Sequence, residues 1–163
     1  MSYEIVTLPA YRAVGLKWAG TYADIVPNVT NVIQRVEERA NELKHKVNPT
    51  IRLGLSYHVI NNGFVYYSVY EVSEVQEVPN GMIEMRIPEW TYVKTTHHKG
   101  EEIEKTYTDL HEWLFNSEYT ALKEADVIYY DSYMPIKHEH YPVDGDPNEP
   151  HFDIYIPIVK KRN

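Results

Sequence analysis

The chain contains no cysteine, which removes disulfide staples, thiolate metal sites and cysteine nucleophiles. It also lacks any apolar run approaching the roughly 18 residues of a membrane span. Its start, MSYEIVTLPAYR, has neither the basic residues nor the apolar core of a secretory leader. These absences predict a cytoplasmic protein that does not enter a membrane. Basic charge is scarce as well: 16 Lys and Arg stand against 24 Asp and Glu, for a net charge of −8. Nucleic-acid binders draw most of their non-specific affinity from basic contacts to phosphate. The single basic cluster, Lys160-Lys161-Arg162, reads as a solvated tail, so no direct nucleic-acid binding is expected. There is no glycine-rich phosphate loop and no G-x-S-x-G nucleophile elbow.

Tyrosine is abundant instead, with 15 residues against 3 Phe and 3 Trp. A tyrosine offers a large apolar ring with a hydroxyl that needs a partner, so it suits the wall of a partly wet cavity. Tyrosine-rich strands building an ordinary core explain the same count. At 163 residues the chain is long enough to bury a core without staples.

Two stretches resemble one another. LPAYRAVGLKWAG opens the chain and IPEWTYVKTTHHKG recurs near its middle; Pro9 and Pro88 are 79 residues apart, Gly20 and Gly100 are 80 apart. Residues 2–18 alternate as a strand with Pro9 at an edge or bulge. Ile25, Val29, Val32, Ile33, Val36, Ala40 and Leu43 then follow helical spacing until Asn48-Pro49. IRLGLSYHVI and FVYYSVYEVSEV flank Asn61-Asn62-Gly63, a hairpin signal. The second half reads alike: a strand in MIEMRIPEWTYVKTTHHK, a helix over 101–115, strands at ADVIYYDSYMPI and HFDIYIPIVK, and a loop at YPVDGDPNEP between them. The expected fold is α+β: two pseudo-symmetric βαββ repeats, about 1–78 and 79–163, forming antiparallel sheet with a helix packed on each. Such small units share a core and leave a cleft at their seam.

Metal readings fail on spacing. His138 and His140 would share a strand face, but no third ligand is implied. Asp144, Asp146 and Asn148 sit at calcium-loop offsets, yet Glu149 and Tyr155 stand where that loop needs Gly and Glu. No metal and no cofactor is expected.

The order of elements, the paired Pro-to-Gly openings, Glu112-Trp113-Leu114 in the second helix and the closing Asp153-Ile154-Tyr155-Ile156-Pro157-Ile158 resemble the gyrase-inhibitor-like small-molecule-binding family. The same fold forms the effector-binding domain of AraC- and MerR-type regulators, and this chain resembles a stand-alone form of it. The resemblance implies a hydrophobic, often cationic ligand held at the seam by aromatics and an acid. It also implies two alternatives: hydrolysis of cyclopropane-bearing DNA alkylators by an aromatic cage and a carboxylate, or a protein-interaction role like that of a gyrase inhibitor, with the protein partner unknown. The family's strand of the type aromatic-Glu-x-Tyr is matched to Tyr130-Asp131-Ser132-Tyr133.

Strand alternation puts Tyr129, Asp131 and Tyr133 on one face, answered by Leu55 and Tyr57 on the duplicate strand. An acid amid tyrosines attracts a cation by charge, and each ring adds roughly 0.5–2 kcal/mol. Glu71 shares its face with Val65, Tyr67 and Val69, where burial would raise its pKa and fit it for general acid or base work. Expected ligand contacts are therefore Tyr57, Tyr67, Trp90, Tyr129 and Tyr133, with Glu71 and Asp131 as candidate catalytic or charge-bearing acids. Exposed strand ends account for both acids equally well. Trp113 is expected to pack in the core.

Overall fold

The computed structural model describes residues 2–162. Each duplicated opening is two strands rather than one. Strand β1 (Glu4–Leu8) stops at Pro9 and β2 (Tyr11–Thr21) follows; β5 (Ile83–Ile87) stops at Pro88 and β6 (Trp90–His97) follows. Proline has no N–H for the ladder and a fixed φ, so pairing breaks there. The break lets the short strands change partners. β1 pairs with β6 and β5 pairs with β2, so each half lends its first strand to the edge of the other.

Helix α1 (Ile25–Glu38) buries Val32 and Val36; full burial of such a side chain contributes roughly 1.5–3 kcal/mol. It ends at Glu38, short of the stop expected at Asn48-Pro49, and a 3₁₀ turn over Ala40–Glu42 still delivers Leu43 to the core. The hairpin forms as expected, with β3 (Ile51–Ile60) and β4 (Gly63–Val72) joined through Asn62 at φ 59°, a left-handed conformation that Asn tolerates. Helix α2 (Ile103–Asn116) buries Thr106, Leu110 and Leu114. A short β7 (Tyr119–Ala121), β8 (Ile136–Pro142) and β9 (Phe152–Lys160) complete the chain.

The strand expected at ADVIYYDSYMPI does not form. Residues 122–135 are turns and extended loop, and the strand starts at Ile136. Asp131 explains the difference. Its Oδ1 accepts the amides of Tyr133 and Met134 at 2.9 and 3.0 Å, and its Oδ2 pairs with Lys137 at 3.1 Å. A side chain that captures the next amides offers the backbone an alternative to the ladder. The loop expected at YPVDGDPNEP correspondingly begins two residues later, after β8 has taken Tyr141 and Pro142.

The strands run in the order β1-β6-β9-β8-β3-β4-β2-β5, with β7 added on β9. The order is symmetric about the antiparallel β3–β8 pair, in which Gly54 opposes Glu139 midway along the register. Both helices pack on one face of this sheet. There, Val36 and Leu43 meet Val14, Tyr70 and Val72, while Leu110 and Leu114 meet Val93, Ile154 and Ile156. Among the described residues the opposite face carries no helix; Ala13, Leu53, Leu55, Val69 and Ile87 form its core.

Candidate ligand-binding site

On the helix face, the middle of the seam is built around Glu139 on β8. Tyr107 of α2 donates to its Oε2 at 2.5 Å and Tyr141, two residues along β8, donates to its Oε1 at 2.6 Å. Burial pushes the Glu139 carboxyl pKa up, opposed by the two tyrosine hydroxyls and by Lys137 and Arg52. Across the seam Arg52 on β3 is buried, and its Nη1 donates to Tyr66 Oη and Ser68 Oγ, each at 3.0 Å. The guanidinium lies over the Tyr141 ring, 4.8 Å from its centroid. Gly54 makes this convergence possible: a Cβ there would stand 2.6 Å from Tyr66 Oη and 3.1 Å from the Tyr141 ring.

Above this floor is a cleft of about 480 Å³, bounded by Ile33 and Glu37 of α1, by Arg52 and Tyr141, and by the β8–β9 loop at Val143 and His151. It joins side chains of both halves. Its volume is within the roughly 300–1,000 Å³ of small-molecule sites.

The bare face holds a second, smaller cavity of about 280 Å³. Three of the residues singled out from the sequence line it: Tyr57, Tyr67 and Trp90, together with Glu124. Tyr57 and Tyr67 meet edge to face, 5.6 Å apart at 88°. Behind them the Tyr57 hydroxyl is 2.9 Å from His138 Nε2. Burial lowers the His138 pKa to about 3, so the imidazole is neutral.

The other expected site residues lie elsewhere. Asp131 and Tyr133 are on the 122–135 loop, not on a strand opposite Tyr57; the residue opposite Tyr57 is Ile136. Burial raises the Asp131 pKa, but Lys137 and the two backbone amides outweigh it and the net shift is downward. The same lysine donates to His58 Nε2 at 2.9 Å, so this acid fastens the loop to β3. Tyr133 is 63% exposed and packs on His111. Tyr129 donates to Glu124 at 2.8 Å and so touches the smaller cavity through that carboxylate. Glu71 does share the face of Val65, Tyr67 and Val69, half-buried, with its pKa raised by burial. It lines neither of the two cavities. Trp113 stacks on Tyr3 at 5.1 Å, closing α2 against the start of the chain.

Glu139, Arg52, Tyr141 and Glu124 were not singled out from the sequence. For Glu139 and Tyr141 a signal existed. His138-Glu139-His140-Tyr141 stands directly before Pro142 and carries the Glu-x-Tyr spacing that was matched to Tyr130–Tyr133. Placing the strand too early hid it. Arg52 and Glu124 carry no sequence signal, because only packing shows which cavity each one borders.

The model of the GyrI-like small molecule binding domain matches residues 1–159. A curated relative, transcriptional regulator BrlR of Pseudomonas aeruginosa, is 28% identical over 161 residues; the match covers 97% of this chain and 56% of BrlR, so the chain spans little more than half of that relative's length. Among solved structures, SAV2435 bound to tetraphenylphosphonium superposes with a TM-score of 0.69 at 14% identity, covering 98% of this chain and 94% of that one. The EcmrR C-terminal domain gives 0.64 at 16% identity, covering 98% of both chains. A hydrolase from Listeria innocua gives 0.63 at 12% identity, covering 96% and 91%. With the family match running through nearly the whole sequence, the chain belongs to the GyrI-like small-molecule-binding family.

Proposed function

We propose that the chain binds a hydrophobic organic cation in the helix-face cleft between its two halves. The observation that carries this reading is the floor of that cleft. Arg52, a cation of the chain's own, is stacked on the Tyr141 ring, and the Tyr141 hydroxyl is anchored to the half-buried Glu139. An aromatic face backed by a carboxylate attracts cations through both charge and ring quadrupole. Glu37 on the cleft wall adds a second negative charge. The acid of the site is thus Glu139 rather than Asp131, whose charge Lys137 already offsets. A ligand cation takes the place of the Arg52 guanidinium on the ring and inherits its attraction to Glu139 and Glu37. The hydrogen bonds that Arg52 gives up when it swings away are to the neutral hydroxyls of Tyr66 and Ser68. Tetraphenylphosphonium, carried by the structural neighbour SAV2435, is the natural first probe.

Titration of the chain with tetraphenylphosphonium by calorimetry tests this. Glu139→Gln weakens binding about tenfold or more, and Arg52→Met leaves it unchanged or tightens it. Unchanged affinity in Glu139→Gln would remove the acid from the site. Loss of tetraphenylphosphonium binding in Arg52→Met would mean that Arg52 holds the cleft together instead of standing where the ligand goes.

A hydrolytic reading has one observation in its favour: a carboxyl with a raised pKa beside the cleft is suited to proton transfer. Mass spectrometry of a cyclopropane-bearing electrophile recovered after incubation separates the two readings. Gain of one water that depends on Glu139 makes the cleft an active site; recovery of the intact compound retires catalysis.

A further inference from the structure

We infer that the smaller cavity on the bare face is a separate site for a methylated ammonium head group. Three aromatic rings line the cavity, beside Val59, Val65, Met85 and Pro88. Tyr57 and Tyr67 form a right-angled corner, at 88° and 5.6 Å between ring centroids, and Trp90 borders the same space. The corner is held in place from behind, since the Tyr57 hydroxyl is tied to the buried His138. Rings fixed before a ligand arrives lose little freedom on binding.

Charge at the mouth points the same way. Glu124 borders the cavity, and its Oε1 is fixed by the Tyr129 hydroxyl at 2.8 Å while no described residue donates to Oε2. Arg86 also lines the cavity, but its charge is engaged elsewhere. Its Nη1 and Nη2 each reach Glu74 at 2.9 Å, and its Nε reaches Glu84 at 3.2 Å. The balance left at the mouth is negative.

Size and polarity narrow the class of ligand. About 280 Å³ is below the usual range for drug-sized ligands, roughly 300–1,000 Å³, so the cavity takes a head group rather than a large molecule. A primary ammonium carries three N–H donors and would find one carboxylate among Val65, Met85 and aromatic rings. Methyl groups in place of those donors remove the need, and a cation that is apolar at its surface fits aromatic walls. The inference concerns the face opposite the helix-side cleft and does not depend on the function proposed for that cleft.

Choline and its neutral isostere 3,3-dimethyl-1-butanol test it, titrated into the ¹⁵N-labelled full chain while the Trp90 indole N–H is followed by NMR. That signal is assigned by its disappearance in Trp90→Phe. Choline shifts the signal saturably, the isostere binds about tenfold or more weakly, and methylammonium is weaker than choline. Glu124→Gln, at an exposed position that the fold does not need, weakens choline about threefold to tenfold. Glu139→Gln leaves choline binding unchanged, which separates failure here from failure of the helix-face reading. An absent or non-saturating shift overturns the inference, as does equal affinity for the neutral isostere. Loss of choline binding in Glu139→Gln would move the cation to the other face.

Discussion

The two faces of the sheet use tyrosine in different ways. On the helix face, the hydroxyls of Tyr107 and Tyr141 converge on one carboxylate, and Tyr66 receives a bond from Arg52. On the bare face, Tyr57 bonds a neutral imidazole, while the hydroxyls of Tyr11 and Tyr92 are buried with no partner among the described residues, as are His138 Nδ1 and His140 Nε2. The ring is wanted on both faces. The hydroxyl supports a buried charge on one, whereas on the other it is mostly a burden that burial makes costly. The helix face is accordingly a charged network, and the bare face a neutral aromatic wall whose charge stays at its rim.

Acid exposes this contrast most strongly. The folded chain holds His138 near pKa 3 and His140 near 4, in both cases chiefly through burial, and His58 near 4 through burial and then Lys137. The unfolded chain protonates these residues near pH 6.5. Folded values below the unfolded one mean that the unfolded state binds more protons in that window. Stability is therefore fully present above about pH 6.5 and is lost as pH falls toward about 4. At about 1.4 kcal/mol per pKa unit, the upper bound is about 3 kcal/mol each for His58 and His140 and about 5 for His138. Asp131, also lowered, adds to the loss at the acid end; Glu139, raised, opposes it. Urea unfolding between about pH 7 and pH 4 should show a decline of several kcal/mol, and a flat profile would mean that the bare face is not neutral.

Removing one hydroxyl on each face sharpens the comparison. Tyr107→Phe takes a donor from Glu139 and should cost about 1–3 kcal/mol, read as a lower midpoint in urea. Tyr92→Phe deletes a buried hydroxyl without a partner among the described residues, so it should leave stability unchanged or raise it by up to about 1 kcal/mol. The same chemical change thus has opposite signs on the two faces. Losses of equal size would show that both hydroxyls are equally well partnered.

Much of the fold is legible in residue order because the signals are local. The Asn61-Asn62-Gly63 hairpin, the stripe of α2 and the last strand depend on turn chemistry and periodicity alone. The site is less legible because its polar residues contradict that periodicity. Lys137-His138-Glu139-His140 reads as surface, yet it forms a strand in the middle of the sheet, paired on both sides. Its polar atoms are covered by groups far away in sequence, with Tyr107 standing 32 residues from Glu139 and Tyr57 standing 81 from His138. The loop that replaced the expected strand is the converse case. Val127, Ile128 and Tyr130 look like core and are exposed, because Asp131 turned the chain before a ladder could form.

The sequence by itself determined the α+β class, the repeated Pro-to-Gly opening and the family, since proline, turn residues and helical spacing act within a few residues of chain. Tertiary structure alone decided that each opening strand joins the other half and that Glu139 rather than Asp131 is the acid at the seam. It also decided that Tyr57, Tyr67 and Trp90 face away from that acid. Those outcomes depend on which strands lie side by side, and a one-residue change of register reverses the face of every side chain in a strand.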